Sequence, residues 1–269
     1  MRSHLADFLD KAEQRGTLNL READILRGLP GTSHEALRQA LHRQQRSGRL
    51  VRASRGSGHF VIVPRQDALS GAPPMETWLD AYLSRSMGLP YYVGLLSAAE
   101  AFGVSPQAVM STQVMVPAPR RPVTIGRHQL VFHARSHLEF MPTQWHETPG
   151  GRFKVSSPEL TVVDLVYRHT VVGGMARVYD VVSELSKRCS AKGLSAALDA
   201  VQEVPAAQRL GFLLAKADRP ILARTLDRWL AGKRVRTVSL SPGTGFEGPA
   251  ALDARFKVLV PMSLKPANV

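Results

Sequence analysis

The chain has 269 residues, 44% of them hydrophobic, with 35 Lys+Arg against 22 Asp+Glu and a formal net charge of +13. That length and apolar content suit two globular domains with a core in each, and the positive excess suits a polyanionic partner. The single cysteine, Cys189, excludes an intramolecular disulfide, and no run approaches the ~20 apolar residues of a membrane span, so the sequence reads as cytoplasmic with no membrane partner.

The amino terminus predicts an amphipathic helix with Leu5, Phe8, Leu9 and Ala12 on its apolar stripe and Gly16 as its stop. Asp7, Asp10 and Glu13 interrupt any run that a signal peptide would need. Asn19 and Glu22 have the spacing of a capping box and predict a short second helix, whose Ala23, Ile25, Leu26 and Leu29 turn inward. After the turn Leu29-Pro30-Gly31, Thr32 and Glu35 repeat that spacing at the start of a basic helix. Ala36, Leu37, Ala40 and Leu41 recur on one stripe; at about 100° per residue Arg38, Gln39, His42, Arg43 and Arg46 share the opposite arc. Ser47-Gly48 ends the helix.

Two strands are predicted next, Arg49–Ser54 and His59–Val63, joined by the turn Arg55-Gly56-Ser57-Gly58. Between Ser33 and Arg55 stand six arginines and one carboxylate, Glu35, a single-signed bias that runs from helix into hairpin. A helix apolar inward and cationic outward, followed by such a hairpin, predicts a winged helix-turn-helix over residues 1–66. Its candidate DNA contacts are Ser33, His34, Arg38, Gln39, His42, Arg43 and Arg46 on the helix, with Arg52, Arg55 and His59 on the wing. Arginine suits guanine and glutamine suits adenine, while the remaining cations suit phosphates.

Residues 67–75, rich in Ser, Gly, Ala and Pro, read as a linker, and residues 76–269 as a larger mixed α/β domain. Within it, Trp78, Leu79, Tyr82 and Leu83 mark a helix, and Leu95–Phe102 another. Strands are predicted at Thr112–Val116, Gln129–His133 and Phe153–Val155. Ser157-Pro158-Glu159 is a helix start with hydroxyl cap, proline and first-turn carboxylate, and Leu160, Val163 and Tyr167 then face inward. Helices through Val178–Leu185, Leu194–Val201, Arg209–Ala217 and Ile221–Leu230 precede two strands, Arg236–Leu240 and Phe256–Val260. The fold class is α+β.

Chemistry is sparse. Gly243-Thr244-Gly245-Phe246-Glu247-Gly248 matches G-x-G-x-x-G, but Pro249 follows at once and too little chain remains for a dinucleotide fold, so it reads as a loop. His133 and His137 lie on strand and turn, where that spacing does not converge, so no metal is expected. Asp164 falls on a buried arc and must be paired; a structural partner in Arg209 is favoured over a catalytic acid. With no nucleophile, metal or phosphate-loop signature, neither an enzyme nor a cofactor is expected.

Taken together the chain resembles the AbiEi family, antitoxins of type IV toxin–antitoxin systems and related transcriptional regulators. The resemblance is carried by Gly48-Arg49-Leu50-Val51-Arg52 and Gly58-His59-Phe60-Val61-Ile62-Val63-Pro64, then Tyr92-Val93-Gly94-Leu95-Leu96-Ser97-Ala98-Ala99-Glu100. Ser157-Pro158-Glu159-Leu160-Thr161-Val162-Val163-Asp164-Leu165 and Arg209-Leu210-Gly211-Phe212-Leu213-Leu214 complete it. It implies an amino-terminal winged helix that binds an inverted-repeat operator in double-stranded DNA upstream of its own operon. It also implies a carboxy-terminal domain that neutralises a nucleotidyltransferase-like toxin encoded nearby. An antitoxin acting mainly by protein–protein contact, or on the toxin's target, is the alternative.

Overall fold

A computed structural model of the chain describes residues 4–53, 57–104, 110–242 and 250–261. The fold is α+β, and the chain divides into two compact units: residues 1–92 with 110–138 and 145–154, and residues 93–109 with 139–144 and 155–269.

The first unit begins with α1 (His4–Gln14), β1 (Asn19–Arg21), α2 (Glu22–Gly28), α3 (His34–Arg46), β2 (Leu50–Arg52) and β3 (His59–Ile62). The strands form an antiparallel sheet in the order β1-β3-β2. Leu5 and Leu9 of α1, Ile25 of α2, Leu37 and Leu41 of α3 and Leu20, Leu50, Phe60 and Ile62 of the strands share one core. Burial of this many apolar side chains, at about 1.5–3 kcal/mol each, is what lets so short a segment hold its shape. Helices α1 and α2 approach so closely that a Cβ on Gly28 would lie 2.3 Å from the Phe8 ring.

Two capping expectations are corrected here. Asn19 does not cap α2: it lies in β1, opposite Val61, and its side chain donates to Ser86 Oγ at 2.7 Å. The cap of α3 is Ser33 and not Thr32; Ser33 Oγ accepts from Ala36 N–H at 3.2 Å. Glu35 instead pairs with Arg38 at 3.3 Å. Ala36 is exposed, so the buried stripe of α3 rests on Leu37 and Leu41.

Residues 67–75 do not behave as a linker. Arg65–Ser70 and Met75–Thr77 form 3-10 helices, and Ala72 is fully buried. The Pro73 carbonyl sits within hydrogen-bond distance of both Trp78 Nε1 (3.3 Å) and His128 Nε2 (3.0 Å), which ties this stretch into the first unit. The helix expected around Tyr82 is a π-helix over Ala81–Ser86, closed by Met87 N–H to the Tyr82 carbonyl.

A six-stranded sheet follows the order β6-β7-β5-β4-β9-β8, built from β4 (Tyr92–Val93), β5 (Thr112–Val116), β6 (Val123–Ile125), β7 (His128–Ala134), β8 (Thr143–Thr148) and β9 (Gly151–Ser156). Strands β5 and β7 run parallel with Val114 opposite Phe132.

In the second unit α4 (Leu95–Ala101), α6 (Met175–Leu185), α7 (Ala191–Val201) and α8 (Val204–Lys216) surround α5 (Pro158–Tyr167), with α9 (Pro220–Leu230) against α7 and α8. Helix α5 is buried from Glu159 through Val166, so it is a central helix and not an amphipathic one; Tyr167, expected inside, is 40% exposed. Two of its buried polar groups have these partners. Ser156 and Thr161 hydroxyls meet at 2.7 Å, and Glu159 accepts from Ser190 N–H and Oγ at 2.8 and 3.0 Å, anchoring the start of α7. Strands β10 (Val238–Ser239), β11 (Ala250–Asp253) and β12 (Val258–Pro261) form a small sheet. Gln208, 1% exposed, donates to the carbonyls of Arg236 and Phe256, both at 2.8 Å, which fastens α8 to that sheet.

Candidate nucleic-acid interface

Helix α3 is held from below and polar above. Leu37 and Leu41 fix it to the core, and Gly48, at φ 72°, supplies the left-handed residue that ends it. His34, Arg38, Gln39, His42, Arg43 and Arg46 are all exposed on its outer side. Arg43 and Arg46 form no ion pair among the described residues, so their charge is uncompensated. Arg38 shares its charge with Glu35, both side chains well exposed, a pairing worth about 0–1 kcal/mol and readily exchanged for a phosphate. Ser33 uses its oxygen as the cap acceptor, leaving the hydroxyl hydrogen to donate.

The wing side differs from the expectation. Arg52 is half-buried, with its guanidinium 4.9 Å over the Phe60 ring and Nε enclosed without a hydrogen-bond partner among the described residues. His59 faces inward: its ring stands edge-on to Tyr82 of the π-helix at 5.8 Å, and its Nδ1 is enclosed. Burial, with the Arg21 charge adding to it, holds the His59 pKa below the usual histidine range. Burial likewise pushes the Tyr82 hydroxyl up to about 12. This histidine therefore belongs to the packing of β3 on the π-helix, and not with the α3 face. Arg55 lies outside the described residues.

Arg49 is counted in the cationic run from helix to hairpin, though not among the candidate DNA contacts, and the structure gives it a different place. Its guanidinium pairs with Asp10 at 2.7 Å and with Glu13, and donates to the Val63 carbonyl at 3.0 Å. It is a strut from α1 to the hairpin, so it leaves the cationic surface. The only signal for it in the sequence is the pair of carboxylates one turn apart on α1, Asp10 and Glu13, against the general rule that such residues face solvent.

Asp164 is fully buried, and Arg209, its expected partner, donates Nε to the Ser239 carbonyl at 2.8 Å. Burial lowers the Arg209 pKa. Gly243 to Gly248 lie outside the described residues. Among the described residues no group of three or more His, Cys, Asp or Glu could hold a metal ion, and no helix is long and apolar enough to cross a membrane.

The RV2827C protein from Mycobacterium tuberculosis superposes with a TM-score of 0.69 at 15% identity, over 97% of this chain and 92% of that one, so the two share a fold. An antigenic nucleotidyltransferase-like protein from Paracoccidioides brasiliensis reaches only 0.30 at 12% identity, over 53% of this chain and 86% of that one. No curated protein matches. The AbiEi antitoxin C-terminal domain matches residues 92–216, and it is over that stretch that the chain is similar to the AbiEi antitoxins.

Proposed function

We propose that the protein is a sequence-specific DNA-binding transcriptional regulator, the antitoxin and autorepressor of a type IV toxin–antitoxin operon. The observation that carries this reading is the outer side of α3, where Arg43 and Arg46 stand exposed and unpaired above a rigid apolar core. His34, Arg38, Gln39, His42, Arg43 and Arg46 enter the major groove, and Ser33 donates to a phosphate at the helix start. Arg38 and Gln39 are the base readers best supported, each good bidentate pair discriminating by ~1–3 kcal/mol. Arg52 and Arg55 serve the backbone or minor groove from the wing; His59 is withdrawn from the contact set because Tyr82 covers it.

The test is Arg43→Ala combined with Arg46→Ala, titrated by fluorescence anisotropy against duplex DNA from upstream of the protein's own gene across a salt series. Two lost phosphate contacts shallow the log K against log salt slope by roughly 1.8, about 0.9 for each. An unchanged slope and affinity would remove α3 from the interface.

The AbiEi match over residues 92–216 favours a second reading, an antitoxin that acts through the C-terminal domain by contact with a nucleotidyltransferase-like toxin or on that toxin's target. Co-purification of the full chain with the product of an adjacent nucleotidyltransferase gene would support it, and the Arg43/Arg46 variant would then retain the partner.

A further inference from the structure

Beyond the end of the family match at residue 216, the second unit carries a cationic cleft of about 500 Å3 that α3 does not explain. One wall is the last turn of α9, with Leu230 and Ala231, continued by Lys233, Arg234 and Val235; the other is the turn between β11 and β12, with Arg255, Phe256 and Lys257. Five Lys/Arg stand against one carboxylate over residues 224–236, a bias as single-signed as that of α3.

The carboxylates here are already engaged. Asp227 takes Arg255 in a two-pronged pair, with Nη2 at 2.6 Å and Nε at 3.1 Å, and Asp253 accepts the Phe256 N–H at 2.8 Å. The Arg255 charge is thereby cancelled, while Lys233, Arg234 and Lys257 form no ion pair among the described residues. Lys233 Nζ reaches the Gln202 carboxamide oxygen at 3.3 Å and lies 4.0 Å above the Trp229 ring, itself fixed by a 2.8 Å bond from Nε1 to Asp199. Three like charges around one concavity repel one another until an anion occupies it. The remaining lining of Leu230, Ala231, Val235 and Phe256 is apolar. A cationic rim over an apolar floor matches a molecule with a phosphate at one end and a flat, weakly polar body at the other. A duplex presents phosphates on a convex surface with its bases stacked inside; an unpaired nucleotide can enter a cleft.

We propose that this cleft binds a nucleoside phosphate, supplied by a free nucleotide or by an unpaired nucleotide of a nucleic-acid strand. Lys233, Arg234 and Lys257 surround the phosphate, and Leu230 and Val235 lie beneath the base. The assignment goes beyond the duplex-binding role of α3 and does not depend on it.

The test uses the full chain, with AMP titrated by calorimetry and a short fluorescein-labelled single-stranded RNA by anisotropy. The same titrations are run on Arg234→Gln/Lys257→Gln and on Lys257→Gln alone. Both side chains are exposed and form no ion pair among the described residues, so the urea midpoints and the affinity for promoter duplex stay at wild-type values. Saturable binding of at least one probe is expected, weakened about tenfold or more in the double variant and less in the single one. AMP binding identifies the free nucleotide as the source, and binding of RNA alone identifies the strand. The proposal is overturned if neither probe binds or if wild type and variants bind alike. It is equally overturned if the double variant loses promoter-duplex affinity in the same proportion, which would make these cations part of a duplex contact.

Discussion

Replacing Arg49 by methionine tests whether the amino-terminal helices and hairpin depend on a charge that the sequence counts in its cationic run. The Arg49 side chain is 17% exposed, while its partners Asp10 and Glu13 are 37% and 30% exposed. A solvent-exposed pair would contribute about 0–1 kcal/mol, and breaking a fully buried one costs about 3–5 kcal/mol. With a mostly buried guanidinium, partly wet carboxylates and a lost bond to the Val63 carbonyl, the loss should be about 2–3 kcal/mol. Urea unfolding of the full chain, followed by far-ultraviolet circular dichroism, reads this as a lower midpoint at unchanged slope. Arg43→Ala on the exposed face of α3 should stay within about 0.5 kcal/mol of wild type. Adding Asp10→Asn and Glu13→Gln to Arg49→Met should recover part of the loss, since the orphaned carboxylates are then neutral. A midpoint for Arg49→Met equal to wild type, or no recovery in the combined variant, would refute the strut.

Gly28→Ala should cost about 1–3 kcal/mol, because the added Cβ meets the Phe8 ring at 2.3 Å and the ring or a helix must shift; an unchanged midpoint would deny the close packing of α1 on α2. His59 is held below its ordinary pKa of 6.5 chiefly by burial, so the unfolded chain binds more protons than the folded one as pH falls through that value. Stability contributed by neutral His59 is therefore complete above the unfolded pKa and is lost on acidification below it. His59→Gln should flatten the urea midpoint against pH in that window, and an identical profile would contradict its enclosure against Tyr82. Asp164→Ala should cost about 2 kcal/mol of stability, read as a lower urea midpoint, while the promoter-duplex affinity of the full chain stays unchanged; loss of DNA binding without loss of stability would assign Asp164 a role in chemistry or recognition.

The elements that could be read in the chain are those whose reasons are local. Leu37 and Leu41 with Gly48 define α3 within a few turns, and Ser157-Pro158 starts α5 as expected, with Ser157 Oγ accepting from Leu160 N–H at 3.2 Å. The cap of α3 slipped by one position because Thr32 and Ser33 are adjacent hydroxyls and Glu35 has box spacing from the first. Strand β1 has three residues, and its partner β3 is some 40 positions away, so no window of sequence contains the pairing. Arg49 shows the same limit for a side chain: its carboxylates lie 36 and 39 residues upstream. The π-helix keeps the apolar spacing of an ordinary one over Leu79, Tyr82 and Leu83, and only its hydrogen bonds distinguish it. Charge bias located α3, but counted as surface cations both Arg49 and the covered His59, whose neighbours only the folded chain brings in.

The two bonds that Gln208 makes set a limit on how the protein can be dissected. A fragment trimmed at Lys216 to retain only the family-matched segment would strip away both carbonyl acceptors and bare the surface of Gly211 against which the Phe256 ring is packed. The amide would be left facing solvent beside newly wetted leucines of α8, and such a fragment should precipitate or melt at low temperature. A workable fragment keeps β12 through Pro261.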